Sequence, residues 1–262
     1  MYPVNEAELL YRQDGPIATV TFNRPQARNA MTWAMYDALR DACERVDSDP
    51  SIKVLVLQGA GGKAFVAGTD IAQFQVFETE RDGIEYEARV ERDVARLETV
   101  TKPTIALIRG YAVGAGASLA LACDLRLATP SAQFGIPIAR TLGNCLSLPT
   151  YARVVDAIGA ARTKELLFTA RLASAAGGEA MGLWRVVAEE RLEVEGRALA
   201  ELLAGHAPLT LWATKESLRR LRASRLDGVS GEDIVARVYT SADFRAGVAA
   251  FLQKKKAAWQ GF

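Results

Sequence analysis

The segment Arg109–Asp124, with the sequence RGYAVGAGASLALACD, constrains the fold of this chain more than any other feature. It follows a short apolar run, Pro103–Ile108, that is typical of a buried strand. Its Gly114–Gly116 run then begins a helix of small residues. The first amides of a helix have no partner within it, so they can stabilise a ligand oxygen that develops negative charge. The upstream segment Lys63–Ile71, KAFVAGTDI, also places small residues where a backbone amide could approach a ligand. The two segments together predict an oxyanion hole.

At these residues the chain resembles the enoyl-CoA hydratase/isomerase family, also called the crotonase superfamily. The resemblance consists of an AFxAGxDI motif and a GYAxGGGxxLAxxCD motif, and it continues from Asn23–Met31 through Phe134–Ala139 to Phe251–Trp259. It implies an α/β fold, a crotonase-type spiral of ββα repeats with a C-terminal helical region for trimerisation. It also implies that the amides of Thr69 and Ala115 hold the thioester oxygen of an acyl-CoA substrate. Ala115 replaces the middle glycine of the second motif but keeps its N–H.

The two glutamates that hydratases of the family use are both replaced. Their positions correspond to Ser118 and Ile138, or to Ala139 if the one-residue insertion before Gly143 shifts the alignment. Neither a serine nor an aliphatic side chain can act as a general base near neutral pH. We therefore expect isomerisation, decarboxylation or a specialised hydration or lyase step at a thioester enolate. The alternative is a non-catalytic acyl-CoA-binding paralogue.

Replacement acids could come from the charged stretch Gln73–Val100, whose pattern predicts a helical, mobile flap over the acyl pocket. The candidates are Glu85, Tyr86, Glu87 and Glu91. We expect only one of them to reach the pocket, because a charge-rich helix mostly faces solvent. Burial there would raise the pKa of a glutamate and suit it to proton transfer.

A second set of polar side chains lies in the loop Arg140–Ser147. Arg140, Asn144 and Cys145 could contact an acyl carboxylate or carbonyl, since arginine binds carboxylates bidentately and asparagine both donates and accepts. They could equally cap or brace the helix that follows.

The resemblance also implies where coenzyme A binds, as part of the thioester substrate and not as a resident cofactor. It implies backbone contacts from Ala27, Ala67 and Ile71, and a phosphate contact from Lys254 on the C-terminal helix. Arg28 is well placed in the sequence to assist, because phosphates need positive charge and amides.

Composition argues against several other classes of protein. The formal net charge is +1, so neither nucleic acid nor an anionic membrane is an expected partner. The polar start MYPVNEAELLYRQDG has no apolar signal core, and a cytoplasmic protein is expected. Cys43, Cys123 and Cys145 are an odd number at unrelated spacings, which argues against disulfides or a zinc site. The one histidine, His206, lies in a polar linker and leaves Ser118 without a base for hydrolase chemistry.

The hydropathy pattern alternates strands and helices as far as Leu146 and is mainly helical beyond it. Strands are predicted over Leu9–Gln13, Ile17–Asn23, Ile52–Gln58, Pro103–Ile108, Asp124–Ala128, Gln133–Gly135 and near Arg185–Val187. Helices are predicted over Thr32–Ser48, Leu192–Ala204, Leu209–Arg222, Glu232–Thr240 and Asp243–Trp259. The pattern suggests a core over residues 1–195, which would hold the CoA and acyl site, and a helical region over residues 196–262.

The apolar and aromatic content of the helical region exceeds what a small appendage could bury alone. This content includes Trp212, Tyr239, Phe244 and Phe251. A homotrimer or a dimer of trimers is therefore expected.

Overall fold

The computed structural model describes residues 7–261, so the first six residues of the polar start lie outside the described residues. Two sheets form the centre of the molecule. The larger sheet has the order β1 (Leu9–Asp14), β2 (Ile17–Phe22), β3 (Val54–Gly59), β5 (Thr104–Ile108), β7 (Leu125–Ala128) and β10 (Arg185–Val186). The smaller sheet has the order β4 (Ala64–Ala67), β6 (Tyr111–Val113), β8 (Gln133–Gly135) and β9 (Ala173–Ser174). Among the strand pairs within residues 7–261, only β1–β2 and β8–β9 are antiparallel.

Helices cover both sheets and form the C-terminal part of the chain. They are α1 (Trp33–Ser48), α2 (Glu80–Glu98), α3 (Ala115–Ala122), α4 (Ile138–Thr141), α5 (Leu148–Thr169), α6 (Ala175–Ala180), α7 (Leu192–Ala204), α8 (Pro208–Ser224), α9 (Glu232–Tyr239) and α10 (Ala242–Leu252). The predicted mixture of strands followed by helices is confirmed, with most bounds within two residues. Strands β4 and β6 were not predicted as strands, because each has only three or four residues and lies inside a glycine-containing motif.

The small residues of α3 allow this helix to pack directly on the backbone of β4. A Cβ atom added at Gly116 would lie 1.9 Å from the carbonyl oxygen of Val66, so no larger residue fits there without moving the helix. The parallel pairing of β4 with β6 brings Ala67 opposite Val113. The ends of the two strands, and the turns that follow them, therefore lie side by side.

The prediction that Gln73–Val100 is helical is confirmed for most of this stretch and is wrong only at residues 77–79 and after Glu98. A 3₁₀ turn over Ile71–Val76 is followed by a break, and α2 begins only after Thr79. Thr79 and Asp82 form a capping box, in which the hydroxyl of Thr79 accepts from the amide of Asp82 and the carboxylate of Asp82 accepts from the amide of Thr79. Such a box fixes a helix start at that position. The mobility of this segment stays a prediction.

The prediction that a C-terminal helix continues to Trp259 is also wrong, since α10 ends at Leu252. Lys254 adopts a left-handed conformation, with φ at 55°, and the amide of Lys255 donates to the carbonyl of Ala250 at 2.8 Å. The amide of Lys254 also donates to the carbonyl of Phe251 at 3.0 Å, so the helix ends in a Schellman motif. The chain then turns back, and the amides of Gln260 and Gly261 donate to the carboxylate of Asp243.

Two of the four aromatic residues that the argument for an oligomer named are buried within this chain. Tyr239 and Phe244 are 3% and 2% exposed, and they pack against Phe74 and Tyr86 in one apolar cluster. The argument for an oligomer from these two residues is therefore wrong. Trp212 and Phe251 are 42% and 46% exposed.

The predicted boundary between residues 195 and 196 falls inside α7, whose apolar face packs on the larger sheet. The division into two regions and the homotrimer or dimer of trimers stay predictions.

None of the helices within residues 7–261 is long and apolar enough to span a bilayer. In the same residues, no three or more His, Cys, Asp or Glu side chains are grouped so as to hold a metal.

Candidate active site

A cavity of about 360 Å³, hereafter the acyl cavity, lies where α2 and α3 meet the segments that follow β4 and β8. Most of its lining is apolar. The predicted site residues that line it are Ala27, Arg28, Ala67, Thr69, Ile71, Glu87, Ala115, Ser118 and Asn144. Those that do not are Glu85, Arg140 and Lys254. Phe251, from the last helix, also lines the acyl cavity, so residues from both ends of the described chain surround one pocket.

The two predicted backbone donors lie at adjacent turns on the wall of this cavity. Gly68 and Gly114 both have positive φ, at 100° and 59°, and a Cβ atom at Gly114 would lie 3.3 Å from Cα of Gly68. Ala115 is the first residue of α3, so its amide has no partner within the helix. Within the described residues, the amides of Thr69 and Ala115 have no hydrogen-bond partner. Two free donors on one pocket can bind one ligand oxygen.

The side chain of Thr69 is fixed by two tyrosines that sequence analysis did not assign to it. The hydroxyl of Tyr86 donates to Oγ1 of Thr69 at 3.1 Å, and the hydroxyl of Tyr36 lies 3.2 Å from the same atom. Burial raises the pKa of both tyrosines above their usual range, so both hydroxyls stay protonated at neutral pH. This arrangement holds the turn that carries the Thr69 amide.

Glu87 is the one carboxylic acid on the acyl cavity within residues 7–261. Burial is the main reason that the pKa of Glu87 is raised to about 7, and hydrogen bonds from Tyr239 and from the Ser147 backbone act in the opposite direction. The charge of Glu91 also raises this pKa. The hydroxyl of Tyr239 donates to Oε1 of Glu87 at 2.5 Å. Nδ2 of Asn144 in turn lies 3.3 Å from the Tyr239 hydroxyl. A carboxyl group with this pKa can both take up and release a proton near neutral pH.

Of the other candidate acids, Tyr86 also lines the acyl cavity, so the expectation that only one candidate reaches it is wrong, whereas Glu85 and Glu91 point away from it. Glu85 is exposed and pairs with Arg81 at 2.5 Å. It lies two residues before Glu87, and such residues occupy opposite faces of a helix. Glu91 binds Arg153 at 2.6 Å and is not part of the cavity wall.

The prediction that Arg140 faces the acyl group is contradicted. Helix α4 turns Ile138, Thr141 and Leu142 into the acyl cavity, and these positions share one helical face. Arg140 lies on the opposite face and is exposed. Cys145 is buried beside the site but does not line it.

Of the two basic residues expected to contact the CoA phosphates, one lies on the acyl cavity and the other does not. Arg28 lines the acyl cavity, and its guanidinium carbon lies 5.3 Å from the ring centre of Tyr111. Lys254 is exposed just beyond the end of α10, whereas Phe251, one turn earlier, lines the cavity. The phosphate contacts stay predictions.

Replacing Tyr239 with phenylalanine should raise the pKa of Glu87. The Tyr239 hydroxyl donates to the carboxylate and so favours the ionised form, and its loss favours the protonated form. If Glu87 must be ionised to accept a proton, the pH at which kcat/KM rises should increase by about one unit. The control is Tyr11→Phe, which removes a hydroxyl on β1 that has no hydrogen-bond partner within the described residues. An unchanged pH profile of kcat/KM would contradict the assignment of Glu87 as the group that must be ionised.

Comparison with known proteins agrees with this geometry. Residues 12–261 match the family model for enoyl-CoA hydratase/isomerase. A crotonyl-CoA hydratase of Syntrophomonas wolfei subsp. wolfei is 30% identical over 252 residues, which cover 95% of this chain and 96% of that protein.

Solved structures of similar proteins confirm the predicted crotonase-type α/β fold. An enoyl-CoA hydratase/carnithine racemase of Magnetospirillum magneticum has a TM-score of 0.80 and 32% identity, covering 98% of this chain and 97% of that one. A methylmalonyl-CoA decarboxylase in complex with 2-nitronate-propionyl-CoA has a TM-score of 0.88 and 26% identity, covering 98% and 99%. With its two motifs and its acyl cavity, this chain belongs to the enoyl-CoA hydratase/isomerase family of acyl-CoA-binding enzymes.

Proposed function

We propose that this protein isomerises an unsaturated acyl-CoA, with Glu87 moving a proton between two carbons of the acyl group. The observation that carries the proposal is that Glu87 is the single acid on the acyl cavity in the described part of the chain. It shares that cavity with the unpaired amides of Thr69 and Ala115. One acid and two oxyanion donors are what a proton shift through an enolate needs.

The proposed reaction uses one carboxyl group twice. In a 3-enoyl thioester, the Glu87 carboxylate takes a proton from C2, and the electron pair of that C–H bond passes to the thioester oxygen. The Thr69 and Ala115 amides bind the resulting dienolate. Glu87 then returns a proton to C4, the electrons move back, and a 2-enoyl thioester is formed. A pKa of about 7 suits both steps, because neither the base nor its conjugate acid is then too weak at neutral pH.

Ordinary hydration has less support in this site. It needs one group to activate water and another to deliver a proton, and the positions of the family's glutamates hold Ser118 and Ile138. Both residues line the acyl cavity, where one offers a hydroxyl and the other only a hydrocarbon surface. Glu87 alone cannot fill both roles at once.

The test is to follow proton exchange, isomerisation and hydration separately. With trans-3-hexenoyl-CoA in deuterated water, we expect isomerisation together with deuterium incorporation. With crotonyl-CoA we expect very slow hydration, since both usual groups are replaced. The double variant Ser118→Glu, Ile138→Glu should gain hydration. Wild-type hydration that is faster than its isomerisation would overturn the proposal, and so would the absence of any exchange, which would favour a non-catalytic binding protein.

We further propose that Arg28 binds a CoA phosphate and that Lys254 adds to the binding from the end of α10. Arg28 lies on the wall of the acyl cavity, and Lys254 is exposed one turn beyond Phe251. Arg28→Ala and Lys254→Ala should each weaken binding of an acyl-CoA, while binding of the matching acyl-pantetheine, which lacks the nucleotide phosphates, should change little. Calorimetric titration measures both. Equal losses for the two ligands would contradict phosphate binding by these residues.

A further inference from the structure

Helix α2 separates the acyl cavity from a second cavity of about 240 Å³, hereafter the rear cavity. The rear cavity lies under the loop between α8 and α9. Residues that define it are Ala88, Glu91, Ser147, Val229, Ser230 and Glu232. Glu87 lines both cavities.

Helical geometry explains why Glu87 is shared. On α2, Tyr86 and Val90 face the acyl cavity, whereas Ala88 and Glu91 face the rear cavity. The two faces meet at Glu87, which lies between them on the helix surface. Among the described residues, Glu87 is therefore the one that lines both cavities.

The two cavities differ in the acids that they contain. Most of the lining is apolar in both, but the acyl cavity has one acid, whereas the rear cavity has three glutamates and two serines. Glu91 accepts from Ser147 Oγ at 3.1 Å and from Arg153, so its carboxylate is held in place. At the opening, Ala88, Val229, Ser230 and Glu232 are exposed. A volume of this size has room for several water molecules at about 30 Å³ each, with polar partners for them.

We propose that the rear cavity is the path by which Glu87 exchanges its proton with solvent while an acyl group fills the acyl cavity. This inference rests on the role of Glu87 proposed above. After the carboxylate takes the proton from C2, the neutral acid passes that proton to a water of the rear cavity and receives another from it. The proton delivered to C4 then comes from solvent, and the charges and atoms balance without any further reactant.

The experiment measures how much deuterium the product carries when trans-3-hexenoyl-CoA is isomerised in deuterated water. In the wild type, most product molecules should carry solvent deuterium at C4. Ala88→Phe fills the rear cavity from its exposed rim, and it should lower the deuterium per product at least twofold with little change in kcat. Ala88→Ser keeps the space and should behave as the wild type. Val229→Trp fills the same cavity from the loop and replaces Ala88→Phe if that variant does not fold.

Deuterium content that stays unchanged in the filled variants would overturn the inference, because exchange would then take place through the acyl cavity. A second readout needs no turnover. In a crystal structure of the hexanoyl-CoA complex, we expect an ordered water in the rear cavity within about 3 Å of the Glu87 carboxyl group. A dry rear cavity in that complex would also overturn the inference.

Failure of the proposed function gives a different result. If Glu87→Gln isomerises as fast as the wild type, Glu87 is not the proton carrier, and the isomerase mechanism fails. The deuterium per product is compared among variants that all keep Glu87. It therefore reports the path of the proton and not the identity of the base.

Discussion

Replacing Glu87 with glutamine should lower kcat for isomerisation about 10²–10⁴-fold, because the variant keeps the shape of the side chain and loses its proton-transfer group. The amide oxygen can still accept from Tyr239, so the cavity should keep its form. Affinity for hexanoyl-CoA should stay within about threefold, since the loss is in proton transfer and not in binding. Steady-state kinetics and titration calorimetry measure the two quantities.

Glu85→Gln is the matched control, because it makes the same chemical change two residues away on the exposed face of α2. It should leave kcat unchanged. Equal losses in the two variants would indicate that the charge of the helix matters and not a proton carried by Glu87.

The same Glu87→Gln variant should be more stable than the wild type at alkaline pH. Burial raises the pKa of Glu87 from an ordinary 4.5 to about 7, so the folded protein holds a proton that the unfolded chain releases between these values. The free energy of unfolding of the wild type therefore falls by about 3 kcal/mol as the pH rises from 4.5 to 7. Glutamine does not titrate and escapes this loss. Chemical denaturation at pH 5 and pH 8 should show the difference between the two proteins growing with pH.

Replacing Ala115 with proline should lower kcat about 10²–10³-fold, the usual effect of losing one oxyanion donor. Proline has no N–H, and it is well tolerated at the first residue of a helix, where Ala115 lies. The change thus removes the donor and leaves the start of α3 intact. Activity and the melting temperature should be measured together.

Ala115→Ser serves as the control, since it alters the side chain and keeps the amide. It should retain most of the activity. If the proline variant is as active as the serine variant, then the Ala115 amide does not stabilise the enolate.

The donors of this site could be predicted from the sequence, because local features determine them. Thr69 and Ala115 follow glycines with positive φ in two short motifs, and the pairing of Ala67 with Val113 brings those motifs together. Their predicted place on one cavity agrees with the structure.

The acid could not be singled out in the same way. The pattern of α2 gave several candidate acids, and the face that turns inward depends on packing against α9. Tyr239, which donates to Glu87, lies 152 positions further along the chain. No periodicity in α2 contains that information. The wrong expectation for Arg140 has a related cause, since a polar loop was expected where α4 forms and turns Ile138 and Thr141 inward.

The apolar cluster of Phe74, Tyr86, Tyr239 and Phe244 joins the wall of the acyl cavity to the last helices of the chain. Loss of order in α9 and α10 would remove both the cover of the cavity and the partner of Glu87, so these parts form one cooperative unit. A ligand that binds only the closed cavity stabilises the whole unit by mass action. Binding of an acyl-CoA is therefore expected to raise the resistance of the C-terminal helices to local unfolding and to proteolysis, even though Phe251 is the one residue of α9 and α10 that lines the acyl cavity in the described part of the chain.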